Sequence, residues 1–274
     1  MINYNGSLFD DNERVLTGHN RAFRYGDGLF ESIRVFKGKI PFYNLHFDRI
    51  LRGMKVLKMN VPPYFNPHYI KNEISKTIEN QPNSRVRLAV YREDGGFYTP
   101  TTNNIDFYIE SSPLPESKYL LNDLGMTIGV FKDYKLRQTP NSAFKTSNGL
   151  PYVLAGIYAK ENSFEDVLLL NTEGYVAEGV SSNFFIVKEN KLITPSLSSG
   201  CVGGVMRQVI FQIANEKEIS ISEADISLQD VQAAEEVFFT NAMQGIRWVE
   251  NFETTTYTSD FIQTLFDALI LKIK

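Results

Sequence analysis

The feature that most restricts the fold is a series of short, strongly apolar runs in the second half of the chain: MTIGVF (126–131), DVLLLN (166–171), NFFIVK (183–188), KLIT (191–194) and EEVFFTN (235–241). Each is rich in β-branched or aromatic residues and bounded by turn formers, which is the pattern of buried strands. Turn chemistry at Asn171-Thr172-Glu173-Gly174 and at Glu189-Asn190 predicts that much of this half is antiparallel meander rather than repeated βαβ units. Two segments break the pattern with helical spacing, GVMRQVIFQIANEKE (204–218) and SDFIQTLFDALILKIK (259–274).

The first ~110 residues mix α and β. Asn5-Gly6 predicts a hairpin, because Asn-Gly accepts the positive φ angles of a tight turn. SIRVFKGKIPFY (32–43) predicts a second, with Lys37-Gly38-Lys39 at its tip. In FDRILRGMKVLKMN, Ile50, Leu51, Met54 and Leu57 form one apolar stripe of a helix, and a further helix is expected from about His68 to Asn80. RVRLAVYR and NIDFYIE read as strands. The proline-containing stretch SSPLPESKYLLND (111–123) is the best connection between domains. The expected fold class is therefore α+β, or mixed α/β, with a small domain at 1–115 and a larger one at 116–274.

Composition narrows the partners. The chain has 274 residues with 28 basic and 32 acidic side chains, a net charge of −4, mixed without long single-sign runs. Neither a nucleic-acid footprint nor a membrane-surface one is implied. No run approaches the ~18 apolar residues of a membrane span, and no signal peptide is expected at the N-terminus. One cysteine, Cys201, excludes an intrachain disulfide and suits a reducing cytoplasm. His19, His46 and His68 are too few and scattered for a metal site.

Three segments could carry chemistry. In SAFKTSNGLPYVLAGIYAK, Lys145 stands in a nearly uncharged stretch. Such a lysine is either a solvated surface group or, among apolar neighbours, a free amine able to form a Schiff base. In EGYVAEGVSSNFFIV, Glu178 ends one strand-like run. It is either an exposed strand-end carboxylate or a partner for a ring nitrogen. In SGCVGGVMRQVIFQI, Gly200, Gly203 and Gly204 lead straight into a helix. That is either an ordinary strand-to-helix turn or a phosphate cradle of backbone N–H groups.

Taken in order, YGDGLFESIRV (25–35), NLHFDRILRGMKVL (44–57), FKTSNGLPYVLA (144–155), EGYVAEGVSSNFF (173–185), GVMRQ (204–208) and TNAMQGIRWV (240–249) resemble the class IV, or fold-type IV, pyridoxal-phosphate-dependent enzymes. That family includes branched-chain and D-amino-acid aminotransferases and 4-amino-4-deoxychorismate lyase. The likeness covers nearly the whole chain. It implies a small N-terminal α/β domain, a larger barrel-like C-terminal domain and pyridoxal 5'-phosphate (PLP) as cofactor. It also implies a homodimer.

Residue by residue, the resemblance places the Schiff-base lysine at Lys145, which would also move the substrate's α-proton. It places the ring-nitrogen carboxylate at Glu178 and the phosphate-gripping arginine of the H-x-x-R pattern at Arg49. Backbone amides at the helix start fall on Val205 and Met206, after Gly204; Met206 stands where a threonine often helps hold the phosphate. The last phosphate-side segment falls on Thr240, Asn241 and Ala242. Glu31 and Arg92 are candidate substrate residues, although a strand-end arginine such as Arg92 is equally an ordinary surface group.

The implied reaction is transamination between a small amino acid, branched-chain ones among the candidates, and a 2-oxo acid. The alternative is a lyase that yields 4-aminobenzoate and pyruvate. The GVMRQ and TNAMQG segments and the spacing of YREDGGFYTP look most like the lyase, whereas YGDGLFE is nearer the aminotransferases and Phe97 stands where the lyase carries an arginine. A non-catalytic PLP-binding protein is a more distant alternative.

Overall fold

The computed structural model describes residues 1–78 and 81–273. The chain divides into two compact units, Met1–Lys118 with Phe144–Asn148, and Tyr119–Ala143 with Gly149–Lys274.

Unit 1 is a five-stranded antiparallel sheet with helices packed on it. Its elements are β1 (Ile2–Tyr4), β2 (Ser7–Phe9), α1 (Arg21–Tyr25), β3 (Gly28–Val35), α2 (Tyr43–Val56), α3 (Pro67–Thr77), β4 (Ser84–Arg92) and β5 (Ile105–Pro113), with strand order β2-β1-β5-β4-β3. Asn5 (φ 51°) and Gly6 (φ 90°) turn β1 into β2 as expected, since the left-handed region is cheap for this pair. The second expected hairpin does not form. Lys37 and Gly38 do turn the chain, yet only Phe36 and Lys39 pair, and α2 begins at Tyr43. The true partner of β3 is β4, paired along its whole length from Gly28–Tyr91 to Val35–Ser84. The helix expected to reach Asn80 runs Pro67–Thr77, with Asn66 capping its N-terminus; Glu79 and Asn80 lie outside the described residues.

The core of unit 1 follows from period two on the strands and 3.6 on the helices. Leu29, Ile33 and Val35 of β3, Val86, Leu88 and Val90 of β4, and Ile105, Phe107 and Ile109 of β5 share one buried cluster with Phe47, Ile50 and Met54 of α2. Gly53 lets α2 approach the sheet closely, because a Cβ there would meet a Leu29 methyl at 2.8 Å. Glu31 occupies the same inward row as Leu29 and Ile33.

Unit 2 contains β6 (Met126–Leu136), α4 (Leu150–Glu161), β7 (Asp166–Asn171), β8 (Val176–Glu178), β9 (Asn183–Lys188), β10 (Lys191–Pro195), α5 (Val205–Glu216), β11 (Ile221–Ala224), α6 (Leu228–Gln232), β12 (Glu236–Asn241), β13 (Gly245–Phe252), β14 (Thr255–Thr256) and α7 (Asp260–Lys272). Nine strands make one sheet in the order β11-β10-β9-β12-β13-β6-β7-β8, with β14 beside β13. β8, at one end, also touches β9 and β10, near the other, so the sheet curls on itself as a half-barrel.

The meander expectation needs correction. β7–β8, β9–β10, β9–β12 and β12–β13 are antiparallel, but β6–β7 and β10–β11 are parallel and joined by α4 and α5 as crossover units. A parallel strand covered on both faces has no polar side, and every residue of β7 is buried accordingly. Lys145 falls between β6 and α4. A single cut near residue 115 assigns it to the second domain, whereas Phe144–Asn148 packs with unit 1. Among the described residues, no helix is long and apolar enough to cross a membrane.

Candidate active site

In unit 1, Lys145 is held by its backbone. Its carbonyl accepts from Phe30 N–H at 2.8 Å, Ser147 N–H donates to the Gly28 carbonyl at 2.9 Å, and Thr146 bridges Leu29, so 144–148 lies along the outer edge of β3. Phe144 packs on the core beneath. Lys145 is half-buried, and its amine stands 4.9 Å from the centre of the Phe30 ring, within cation–π range.

Arg49 and Glu31 come together. Nε of Arg49 donates to Glu31 Oε1 at 2.7 Å and Nη2 to Oε2 at 2.5 Å, while His46 Nδ1 lies 2.7 Å from Oε2. All three side chains are buried, Glu31 only 1% exposed. Burial alone would raise the Glu31 carboxyl, but the Arg49 charge and the hydrogen bonds from His46 and Arg49 hold it at about 2. Both Glu31 oxygens meet donors from α2. What Glu31 does is fix the planar Arg49 fork through charge-assisted, bidentate bonds.

Arg92 is occupied by the protein's own acceptors. Its Nε and Nη2 donate to Asp27, its Nη1 to Asn103 Oδ1 and the Lys58 carbonyl, and its Nη2 also to the Leu57 carbonyl at 2.7 Å. With 6% of its surface exposed it ties the end of α2 to the strand ends.

In unit 2, Glu178 ends β8 and is 3% exposed. Its Oε1 accepts from the Tyr152 hydroxyl at 2.7 Å and its Oε2 from Val202 N–H at 3.0 Å. Asn183 Nδ2 donates to the Val202 carbonyl at 2.7 Å, so the residue just before Gly203-Gly204 is gripped on both sides. Gly204 then starts α5 with no side-chain cap, and a Cβ there would overlap Asn183 Oδ1. The first N–H groups of this 12-residue helix are the ready-made anion donors of a helix start. Val205 and Met206 bury their side chains in the core, so what they offer a ligand is backbone.

The turn after Glu178 is equally constrained. Asp166 Oδ1 accepts from Val180 N–H at 2.9 Å and from Val167 N–H at 2.8 Å. Burial pushes the Asp166 carboxyl up to about 6, against those two N–H groups and the charge of Arg247. Ser182 Oγ accepts from Asn241 Nδ2 at 2.9 Å, which joins this turn to the β12–β13 turn. There the Asn241 oxygen takes the N–H groups of Met243 and Gln244, Thr240 donates to the Gly245 carbonyl, and Tyr119 donates to the Ala242 carbonyl. Ser182 and Asn241 also line a cavity of about 390 Å³ with Asp166 and Arg247.

Within unit 2 the hydrogen bonds thus assemble Glu178, Gly204, Val205, Met206, Asn241 and Ala242 into one neighbourhood. Tyr152, Asn183, Asp166 and His46 were not singled out from the sequence. His46 had a signal, three residues before Arg49 and so on the same helix face; Tyr152 had none.

The donor set fits a phosphorylated pyridine: a buried carboxylate held in plane for a ring N–H, and a glycine-led, uncapped helix start for a phosphate. Residues 28–252 match the family described as amino-transferase class IV. The chain belongs to that family. Among this class IV chain's relatives is a Methanocaldococcus jannaschii protein assigned as a branched-chain-amino-acid aminotransferase, 29% identical over 256 residues that cover 89% of this chain and 85% of the relative. An aminodeoxychorismate lyase of Bacillus subtilis is 27% identical over 269 residues, 94% of this chain and 89% of the relative. The branched-chain aminotransferase of Thermoproteus uzoniensis, solved with norvaline, superposes with a TM-score of 0.88 at 21% identity, covering 99% of this chain and 94% of that one. At that identity the likeness shows the fold. PLP is the cofactor of class IV enzymes, and the residues above suit it.

Proposed function

We propose that this chain is an aminotransferase that moves an amino group between a small amino acid and a 2-oxo acid, with PLP bound covalently at Lys145. The observation that carries the reading is Glu178, a buried carboxylate that accepts from the Tyr152 hydroxyl and from Val202 N–H beside a helix start with no side-chain cap. Glu178 would accept a ring N–H, and the backbone N–H groups of Val205 and Met206, with the Asn241-Ala242 turn of the same unit, would hold the phosphate; Arg49, whose fork Glu31 fixes, is the side-chain cation proposed for it. PLP supplies an electron sink for bonds to the substrate's α-carbon. Lys145 would supply the amine that holds the cofactor and the base for the substrate's α-proton. The branched-chain relative supports a small aliphatic substrate.

The second reading, aminodeoxychorismate lyase, is favoured by the B. subtilis relative, which spans more of the chain. Incubation of the PLP-loaded enzyme with a panel of L- and D-amino acids plus 2-oxoglutarate, and separately with aminodeoxychorismate, separates the two. Glutamate from the panel is the expected result. Pyruvate with 4-aminobenzoate and no glutamate would replace the aminotransferase by the lyase.

A homodimer in the cytoplasm belongs to the same reading. The dimer is supported by α4, which presents Leu150, Val153, Leu154 and Ile157 at one-face spacing, 67, 57, 42 and 50% exposed. Light scattering should give twice the chain mass for the wild type and the single-chain mass for the Leu154→Glu, Ile157→Glu double variant. A monomeric wild type would exclude the dimer.

A further inference from the structure

A donor on Glu178, the Tyr152 hydroxyl, is a side chain that the proposed reaction leaves without a task. Tyr152 lies in the first turn of α4, and its hydroxyl reaches Oε1 at 2.7 Å while Val202 N–H takes Oε2 at 3.0 Å. Burial, and then the neighbouring Glu178 charge, push the Tyr152 hydroxyl far above the ordinary tyrosine value, so it stays protonated and keeps donating at every working pH.

We infer that Tyr152 is a positioning residue that keeps Glu178 anionic and so holds the shared proton on the cofactor's ring nitrogen rather than on the carboxylate. The inference rests on the assignment of Glu178 above. A donor to a carboxylate stabilises the charged form over the protonated one, which lowers its hold on a proton. Two donors from different elements, α4 and the stretch before α5, also fix the plane of the group, so the proton position does not drift with the Glu178 rotamer. Removing the hydroxyl leaves a more basic, less constrained carboxylate, and the proton moves towards it. The ring nitrogen then loses positive charge.

The test is Tyr152→Phe, which removes a single oxygen, on enzyme loaded with PLP labelled at the ring nitrogen for NMR. The ring-nitrogen signal should move from the protonated towards the neutral position, with the cofactor still bound, and kcat should fall roughly tenfold to a hundredfold with KM little changed, the loss expected for one hydrogen bond to a charged group. In a Glu178→Gln background the same change should leave the signal where it is, since the two residues act as one unit. Tyr158→Phe, also on α4 but packed against Phe131, should match the wild type. An unmoved signal in Tyr152→Phe, or an equal shift in Tyr158→Phe, would overturn the role of Tyr152 alone. A wild type that binds no PLP would overturn the assignment of Glu178 and this inference with it.

Discussion

Replacing Lys145 by alanine is expected to remove covalent cofactor attachment altogether and to lower kcat by about a thousandfold or more, because one amine serves both as the attachment point and as the proton carrier. The protein should still fold. Lys145 is half-buried, and its segment is pinned to β3 by backbone hydrogen bonds from residues 28, 30 and 147 that alanine keeps. Absorbance of the bound cofactor before and after borohydride, together with a thermal melt, checks both halves. A variant that still retains cofactor irreversibly after borohydride would mean that another lysine is the attachment point.

Arg49→Ala is expected to be costly in a different way. It leaves the Glu31 carboxylate in the core with only His46 beside it, and stranding one partner of a buried ion pair typically costs about 3–5 kcal/mol. In a unit of this size that lowers the melting temperature by roughly 10 °C or more. Cofactor affinity should fall with it, since the phosphate loses a fixed cation. Arg49→Lys should recover only part of either loss, because an ammonium cannot make the two parallel bonds that Nε and Nη2 make to Glu31.

The sign of the pH dependence follows from Glu31. Its folded carboxyl is held at about 2, below the value of 4.5 for the free group, so the pair contributes fully above pH 4.5 and fades as the pH falls towards 2. The stability gap between wild type and Arg49→Ala should therefore be widest near neutrality and narrow in acid. A gap that is constant from pH 7 to pH 3 would mean that Arg49 contributes through packing and not through charge.

The local elements were readable in the residues. Asn5-Gly6 turned as its chemistry demands, the Ile50 and Met54 stripe faced the core, and the apolar runs from Met126 onward became strands. Where the reading went astray, the missing information was non-local. Periodicity marks KIPFY as apolar but not that β4 already occupies the edge of β3 it would need. Nothing near β7 states that its neighbour β6 runs parallel to it.

The same limit governs the site. Glu31 at an inward strand position invited a functional reading, yet its partners lie 15 and 18 residues away on α2, and they convert it into a support for Arg49. Arg92 looked available until the carbonyls of Leu57 and Lys58 and the amide of Asn103 took its donors. The assignment of Lys145 and Glu178 rests on six motifs in a family's order; neither is distinctive in its own stretch of sequence.

The most direct test of the account is to locate the attachment on the unaltered protein. PLP-loaded enzyme is reduced with borohydride, digested, and its peptides read by mass spectrometry. The phosphopyridoxyl group is expected on Lys145 and on no other residue. Its appearance on a different lysine, or its absence from every peptide, would contradict the site described above.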